Sequence, residues 1–325
     1  MHLARKFLFV LFLPFCIVQS FAADQWSAGK PLRLIVPFPA GGGADTIVRT
    51  ISDELSHNIG QKIIIENRPG AGGCLGTEYA LKGKADGRTL LYVTNGTLGI
   101  NPALYPKIGY DALNDIEPVA RLTEISLIMA VNPQRHDVKS LQEFLNSARA
   151  SAAPWTYASA GNGTSSHLAG VMLSEISGIN FRHIPYRGGA ASMLDVLAGR
   201  VDFVIEVSPN ILTHIQAGKL RALGRSSSAA DKATQNIPAM GSSGLQGYEL
   251  CAWDGIAVKK GTPVEIVQAL NKALEQTLQN PKVRNALIAR GAIPVQANSE
   301  EFSKFIKSEH QKWHELVKKS RTSLD

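Results

Sequence analysis

From residue 30 onward, hydrophobic and polar positions alternate with two periods, and each switch between them predicts a change from strand to helix or back. Leu32-Arg33-Leu34-Ile35-Val36, following Pro31, is a short apolar run that predicts a strand. The Gly-rich turn Pro39-Ala40-Gly41-Gly42-Gly43-Ala44-Asp45 comes next. Ile47, Ile51, Leu55 and Ile59 then recur every fourth residue, Val48 widens the stripe and Gly60 stops it, which predicts an amphipathic helix. Residues 62–66 predict a second strand, 67–73 a second Gly-rich loop, and 89–93 a third strand behind the Asp86-Gly87 turn.

Past Pro133 the alternation restarts. Ser140-Leu141-Gln142-Glu143 is a capping box that opens a helix, because a serine oxygen and a glutamate three residues on can satisfy first-turn amides. Residues 155–158 predict a strand, 159–166 a polar loop, and a helix begins near His167. A strand at 181–184, the loop Tyr186-Arg187-Gly188-Gly189, a helix to Ala198 and a strand at 201–205 complete the second series, and helices dominate from Pro263. Alternating strands and helices imply an α/β protein with parallel-type sheets covered on both faces. Its ligands would sit where loops leave the carboxyl ends of strands.

A chain of 325 residues has room for one large or two ordinary domains, and two series of alternation favour two. Residues 126–131 and 253–258 are candidate crossover strands between them. The expected division is a first lobe from 24–130 and 253–325, and a second from 131–252. Their loop edges would face one cleft.

Residues 1–23 carry a different pattern. Arg5 and Lys6 precede an apolar run from Phe7 to Val18, and Ser20-Phe21-Ala22 supplies small residues for cleavage near Ala22, as in a secretory signal peptide. The run falls short of the about 20 apolar residues that a membrane helix needs. Cys16 leaves with this segment, since the bulky Phe15 before it does not suit lipid attachment. The mature protein is then expected in the periplasm, and any membrane subunits must be other chains.

Removing Arg5 and Lys6 lowers the formal charge from +7 to +5, with only a modest basic cluster at Lys318, Lys319 and Arg321. Nucleic acid is not an expected partner, because no aromatic-interleaved basic stripe is present. A mild positive potential favours encounter with anionic solutes. Cys74 and Cys251 match no metal spacing, and neither a metal nor a cofactor is expected.

Two loops could carry binding chemistry. In the first, Gly41 to Gly43 would let main-chain N–H groups approach an anion at a helix N-terminus, with Asp45 as a cap or as the acceptor that orients a loop amide. A tight turn with an ordinary N-cap explains the same residues. The second loop, Ser159-Ala160-Gly161-Asn162-Gly163-Thr164-Ser165-Ser166, is its counterpart in the other lobe, and an ordinary polar turn is again the alternative. His167 beside Ser165 and Ser166 is not a triad by adjacency alone, and no G-x-S-x-G surrounds it. The glycines of residues 70–76 miss the dinucleotide spacing G-x-G-x-x-G, and no phosphate-binding G-x-x-x-x-G-K-[ST] is present. Glu206, past the end of the 201–205 strand, could face the cleft and receive an ammonium or hydroxyl, or lie on the surface.

Taken together these segments resemble the Bug family, the periplasmic receptors of tripartite tricarboxylate transporters. Residues 30–45 follow that family's first strand and its P-G-G-x-x-D loop, and Glu66-Asn67-Arg68-Pro69-Gly70-Ala71-Gly72-Gly73 reproduces its second signature. Tyr186-Arg187-Gly188, Gly218-Lys219-Leu220-Arg221, Trp253-Asp254-Gly255 and Gly261-Thr262-Pro263 extend the likeness over almost all of the mature chain. The resemblance implies a Venus flytrap fold that closes on a small carboxylate and hands it to integral-membrane transporter subunits. It also implies a site at Phe38, Pro39, Ala40, Gly41, Gly42 and Asp45, and at Ser159, Gly161, Asn162, Gly163, Thr164 and Ser165. Thr94 and Asn95 are a further wall. Glu206 stands where relatives often have aspartate and Arg187 where lysine is frequent, so solute identity is where this chain departs from its relatives. A ligand-sensing partner of a membrane signalling receptor is an alternative reading, and a periplasmic hydrolase or lyase a third.

Overall fold

The computed structural model describes residues 30–105 and 107–320, so the expected signal peptide with Cys16, and Arg321 of the basic cluster, lie outside the described residues. The elements, in chain order, are β1 Leu32–Val36, α1 Gly43–Ile59, β2 Ile63–Asn67, α2 Cys74–Leu81, β3 Thr89–Thr94, α3 Asn101–Leu104 and β4 Ile116–Val131. The second series is α4 Leu141–Ala150, β5 Thr156–Ser159, α5 Ser165–Ser177, β6 Arg182–Pro185, α6 Gly189–Leu197, β7 Phe203–Val207, α7 Ser208–Gln216 and β8 Arg221–Arg225. The chain ends with β9 Cys251–Lys259, α8 Val264–Gln279, α9 Pro281–Ile288, β10 Ala292–Pro294 and α10 Ser299–Ser320.

The strands form two sheets that share β4. Their order is β2-β1-β3-β9-β4-β7-β5-β6, with β8 and β10 also paired to β4. The parallel pairing expected from alternation holds for β1 with β2 and β3, and for β5 with β6 and β7. β4 and β9 depart from it: β9 runs antiparallel to β3 and β4, and β4 antiparallel to β7 and β8. A strand that leaves one sheet for another and a strand that brings the chain back must run in opposite directions.

The first 11 residues of β4, Ile116 to Ser126, pair with β9 in one sheet, and Leu127 to Val131 pair with β7 and β8 in the other. The 126–131 crossover is therefore the tail of a 16-residue strand. The return crossing lies just before β9, where Leu250 N donates to Ser226 O at 3.0 Å, and residues 253–258 stay within the first sheet.

Amphipathic helices cover the sheets. α1 buries Ile47, Val48, Ile51 and Leu55, each worth about 1.5–3 kcal/mol when removed from water. In the second lobe Phe144 packs edge-on against Phe203 with centroids 4.9 Å apart, and the capping serine Ser140 accepts from Glu143 N at 3.1 Å. α10 returns over the first sheet, where Trp253 and Trp313 both donate to Glu309 Oε2, at 2.8 and 2.9 Å. Cys74 and Cys251 are free thiols. Among the described residues no helix is long and apolar enough to cross a membrane, and no cluster of His, Cys, Asp or Glu could hold a metal ion.

Candidate functional site

The loop after β1 is built as a rigid support for main-chain groups. Gly41 takes a left-handed φ of 79°, a conformation that a side chain would strain, and Gly42 is the N-cap of α1 without offering a side chain. Asp45 is not the cap. It sits inside the first turn, and its carboxylate accepts from Gly41 N at 2.9 Å, Arg49 Nε at 2.8 Å and Asn67 Nδ2 at 3.0 Å. Burial pushes the Asp45 carboxyl up, but these three donors outweigh it and hold it below its ordinary value, so it stays charged.

The loop after β5 is tied in a similar way. Ser159 Oγ meets His183 Nε2 at 2.6 Å and accepts from Gly161 N at 3.1 Å, while Ser166 Oγ accepts from Ala160 N at 2.8 Å. Thr164 is the N-cap of α5, its side chain accepting from His167 N. His167 stacks on His183 with centroids 4.3 Å apart, and its Nδ1 accepts from Gly163 N at 3.3 Å. Burial lowers the pKa of His167 to about 4 and, with the neighbouring ring, that of His183 to about 3, so both are neutral and serve packing.

These loops meet across a cavity of about 90 Å³ between the lobes. The first lobe contributes Phe38, Pro39, Gly42, Gly43, Ala44, Ile47, Tyr92, Thr94, Asn95 and Gly96. The second contributes Ala160, Thr164, Ser165, Ser166, Gly188, Gly189, Glu206 and Val207, and the floor is Ile125, Ala252, Trp253 and Asp254. The lobes touch here, since Ser165 Oγ donates to Asn95 Oδ1 at 3.0 Å.

Of the residues singled out in the sequence, Phe38, Pro39, Gly42, Thr94, Asn95, Thr164, Ser165 and Glu206 line the cavity. Gly161, Asn162 and the exposed Arg187 line a neighbouring recess that shares Phe38, Pro39, Ala160 and Gly188 with it. Ala40, Gly41, Asp45, Ser159 and Gly163 line neither, and of these Asp45 and Ser159 hold their loops through the hydrogen bonds above. Sequence reasoning did not place Tyr92 and Asp254 in the site. Asp254 is buried and accepts from Tyr92 Oη at 2.5 Å, Thr123 Oγ1 at 2.8 Å and Thr123 N at 3.0 Å. Burial still pushes its pKa up to about 6.

The field in the cavity comes from main chain rather than basic side chains. No lysine, arginine or histidine is among the described residues that line it. Instead four helices begin there: α1 at Gly43 and Ala44, α5 at Ser165 and Ser166, α6 at Gly189, and α7 just after Val207. First-turn amides lack intrahelical partners and carry the positive end of the helix dipole, so converging N-termini favour an anion.

A cavity closed between two α/β lobes on a shared strand, with helix N-termini aimed into it, defines a two-lobed periplasmic binding protein. The chain belongs to the family described as the tripartite tricarboxylate transporter family receptor, which matches residues 47–321. BugT of Bordetella pertussis is 32% identical, over 95% of this chain and 94% of its own. The structure of the periplasmic binding protein BugD is 30% identical with a TM-score of 0.86, covering 90% of this chain and 98% of its own. MatC of Rhodopseudomonas palustris with bound malate is 30% identical with a TM-score of 0.83, covering 88% of this chain and 98% of its own. The family is one of transporter receptors, BugD is a periplasmic binding protein and MatC holds malate, and the chain is a solute-binding receptor rather than an enzyme.

Proposed function

We propose that the chain captures a small carboxylate-bearing solute in the periplasm and delivers it to a tripartite tricarboxylate-type membrane transporter. The observation that carries the solute class is the convergence of four helix N-termini on one cavity that has no basic side chain. There a carboxylate can be held by first-turn amides of α1 and α5 and by the hydroxyls of Thr164 and Ser165. The malate bound to MatC supports the same class of solute. Contacts to both lobes favour the closed form, because a ligand shifts such an equilibrium only by its different affinity for the two states.

On this reading the signal peptide is cut near Ala22, and the lobes divide as 24–130 with 253–325, and 131–252. The closed receptor docks on integral-membrane subunits. A thermal-shift screen of carboxylates, followed by uptake of the best binder in a deletion strain, tests both halves. Stabilisation that rises with the logarithm of ligand concentration, about 2.7 kcal/mol at a hundredfold excess over Kd, with uptake lost on deletion, is the expected result. Stabilisation with uptake intact would contradict delivery and favour a sensing role, and stabilisation by uncharged analogues alone would contradict the carboxylate.

A further inference from the structure

Among the described lining residues the carboxylate reading leaves two buried, unpartnered side-chain groups unused, the donor Nδ2 of Asn95 in the first lobe and the acid Glu206 in the second. Glu206 sits at the end of β7, 3% exposed, with Oε1 accepting from Val207 N at 2.9 Å and Oε2 buried without a partner. Gly189 leaves room beside this oxygen, for a Cβ there would lie 2.5 Å from Asn210 Nδ2 and 3.0 Å from Oε2 of Glu206. The groups packed around Glu206 are uncharged: Ile128 of β4 beside it in the sheet, Gly189 of α6, and Asn210 of α7, whose Nδ2 also lacks a partner. The other titratable groups of the cavity are Asp254 and Tyr92, already bonded to each other.

Two buried acids and no base make a poor seat for a second carboxylate, while a buried acceptor without a donor is destabilising until a donor reaches it. We propose that the solute carries, beside its carboxylate, a hydrogen-bond donor that seats on Oε2 of Glu206, so that the receptor selects amino- or hydroxy-substituted carboxylates over unsubstituted ones. The inference rests on the carboxylate reading above and names the second half of the solute. Burial pushes the Glu206 carboxyl up to about 7, against the amide of Val207, so the group ionises across neutral pH and its charge can be matched to a donor.

The test is calorimetry with matched sets that share a carbon skeleton: propanoate, lactate and alanine; succinate, malate and aspartate; 3-phenylpropanoate, phenyllactate and phenylalanine. In the set that fits, the substituted acid is expected to bind at least tenfold more tightly than its parent. Its affinity should rise between pH 6.5 and 8, more for an ammonium than for a hydroxyl, which separates the two donors. Glu206→Gln, isosteric and uncharged, should weaken the amino acid at least tenfold and the parent acid little. An unsubstituted acid that binds as well as its derivatives, or binds better as pH falls, would overturn the proposal, since Glu206 would then be donating its own proton to a second carboxylate. Should Glu206→Gln not fold, the preference and pH series of the native protein decide the matter alone. Binding by none of the nine acids would sink the carboxylate reading itself, and this inference with it.

Discussion

The two buried acids of the cavity differ in how the protein has dealt with them. Asp254 has its oxygens satisfied by Tyr92 and Thr123, whereas Glu206 keeps one oxygen bare. Glu206 therefore leaves a mark on stability that can be measured without ligand. Its folded pKa of about 7 lies above the ordinary 4.5, so between these values the folded protein holds a proton that the unfolded chain has lost. Stability from this group is full below pH 4.5 and is lost as pH rises to 7, on the order of 3 kcal/mol. Glu206→Gln should thus be the more stable protein in urea melts at pH 8, with the difference shrinking towards zero at pH 4.5. An equal difference at both pH values would show that the side chain is not held in this environment. Glu206 could be suspected from its place at a strand end. Asp254 could not, although it lies within Trp253-Asp254-Gly255, because the hydroxyls that meet it belong to Tyr92 and Thr123, 162 and 131 residues away.

At the level of elements, helices with a four-residue stripe and strands framed by glycine were legible, and the longest strand was not. β4 has 16 residues, against the roughly 5–6 of an ordinary strand, and Pro118 inside it argues locally against a strand. The structure accommodates that proline at a shift of register between Pro118 and Ala120. α7 was missed for another reason: it starts directly at the end of β7, with no loop and no capping side chain at Val207. Its N-terminus abuts that of α1, where a Cβ on Gly43 would come within 2.8 Å of Val207 Cγ2. Gly43→Ala is compatible with the helix itself, so its cost of about 1–3 kcal/mol should fall on the closed form alone. The expected outcome is a Kd weakened roughly tenfold to a hundredfold with the melting temperature of the free protein unchanged or slightly raised. A loss of stability in the free protein matching the loss of affinity would contradict this account of closure.

For the whole molecule, the alternating pattern was enough to foresee an α/β protein with two series of elements, while the Gly-rich loops by themselves read equally as ordinary turns and pointed to a cleft only through the family resemblance. What the pattern could not convey is that four helices, far apart in sequence, begin at the same place. That convergence is a property of the assembled sheets, and it lets a cavity without a basic side chain attract an anion. The central claim is therefore that this receptor retains a carboxylate and leaves it unchanged. The most direct measurement is native mass spectrometry of the mature protein after incubation with a defined mixture of carboxylates and neutral analogues, with the released solute identified by its own mass. One carboxylate held at one copy per chain and recovered intact is the predicted result. Retention of a neutral compound instead, or recovery of a chemically altered product, would contradict the account.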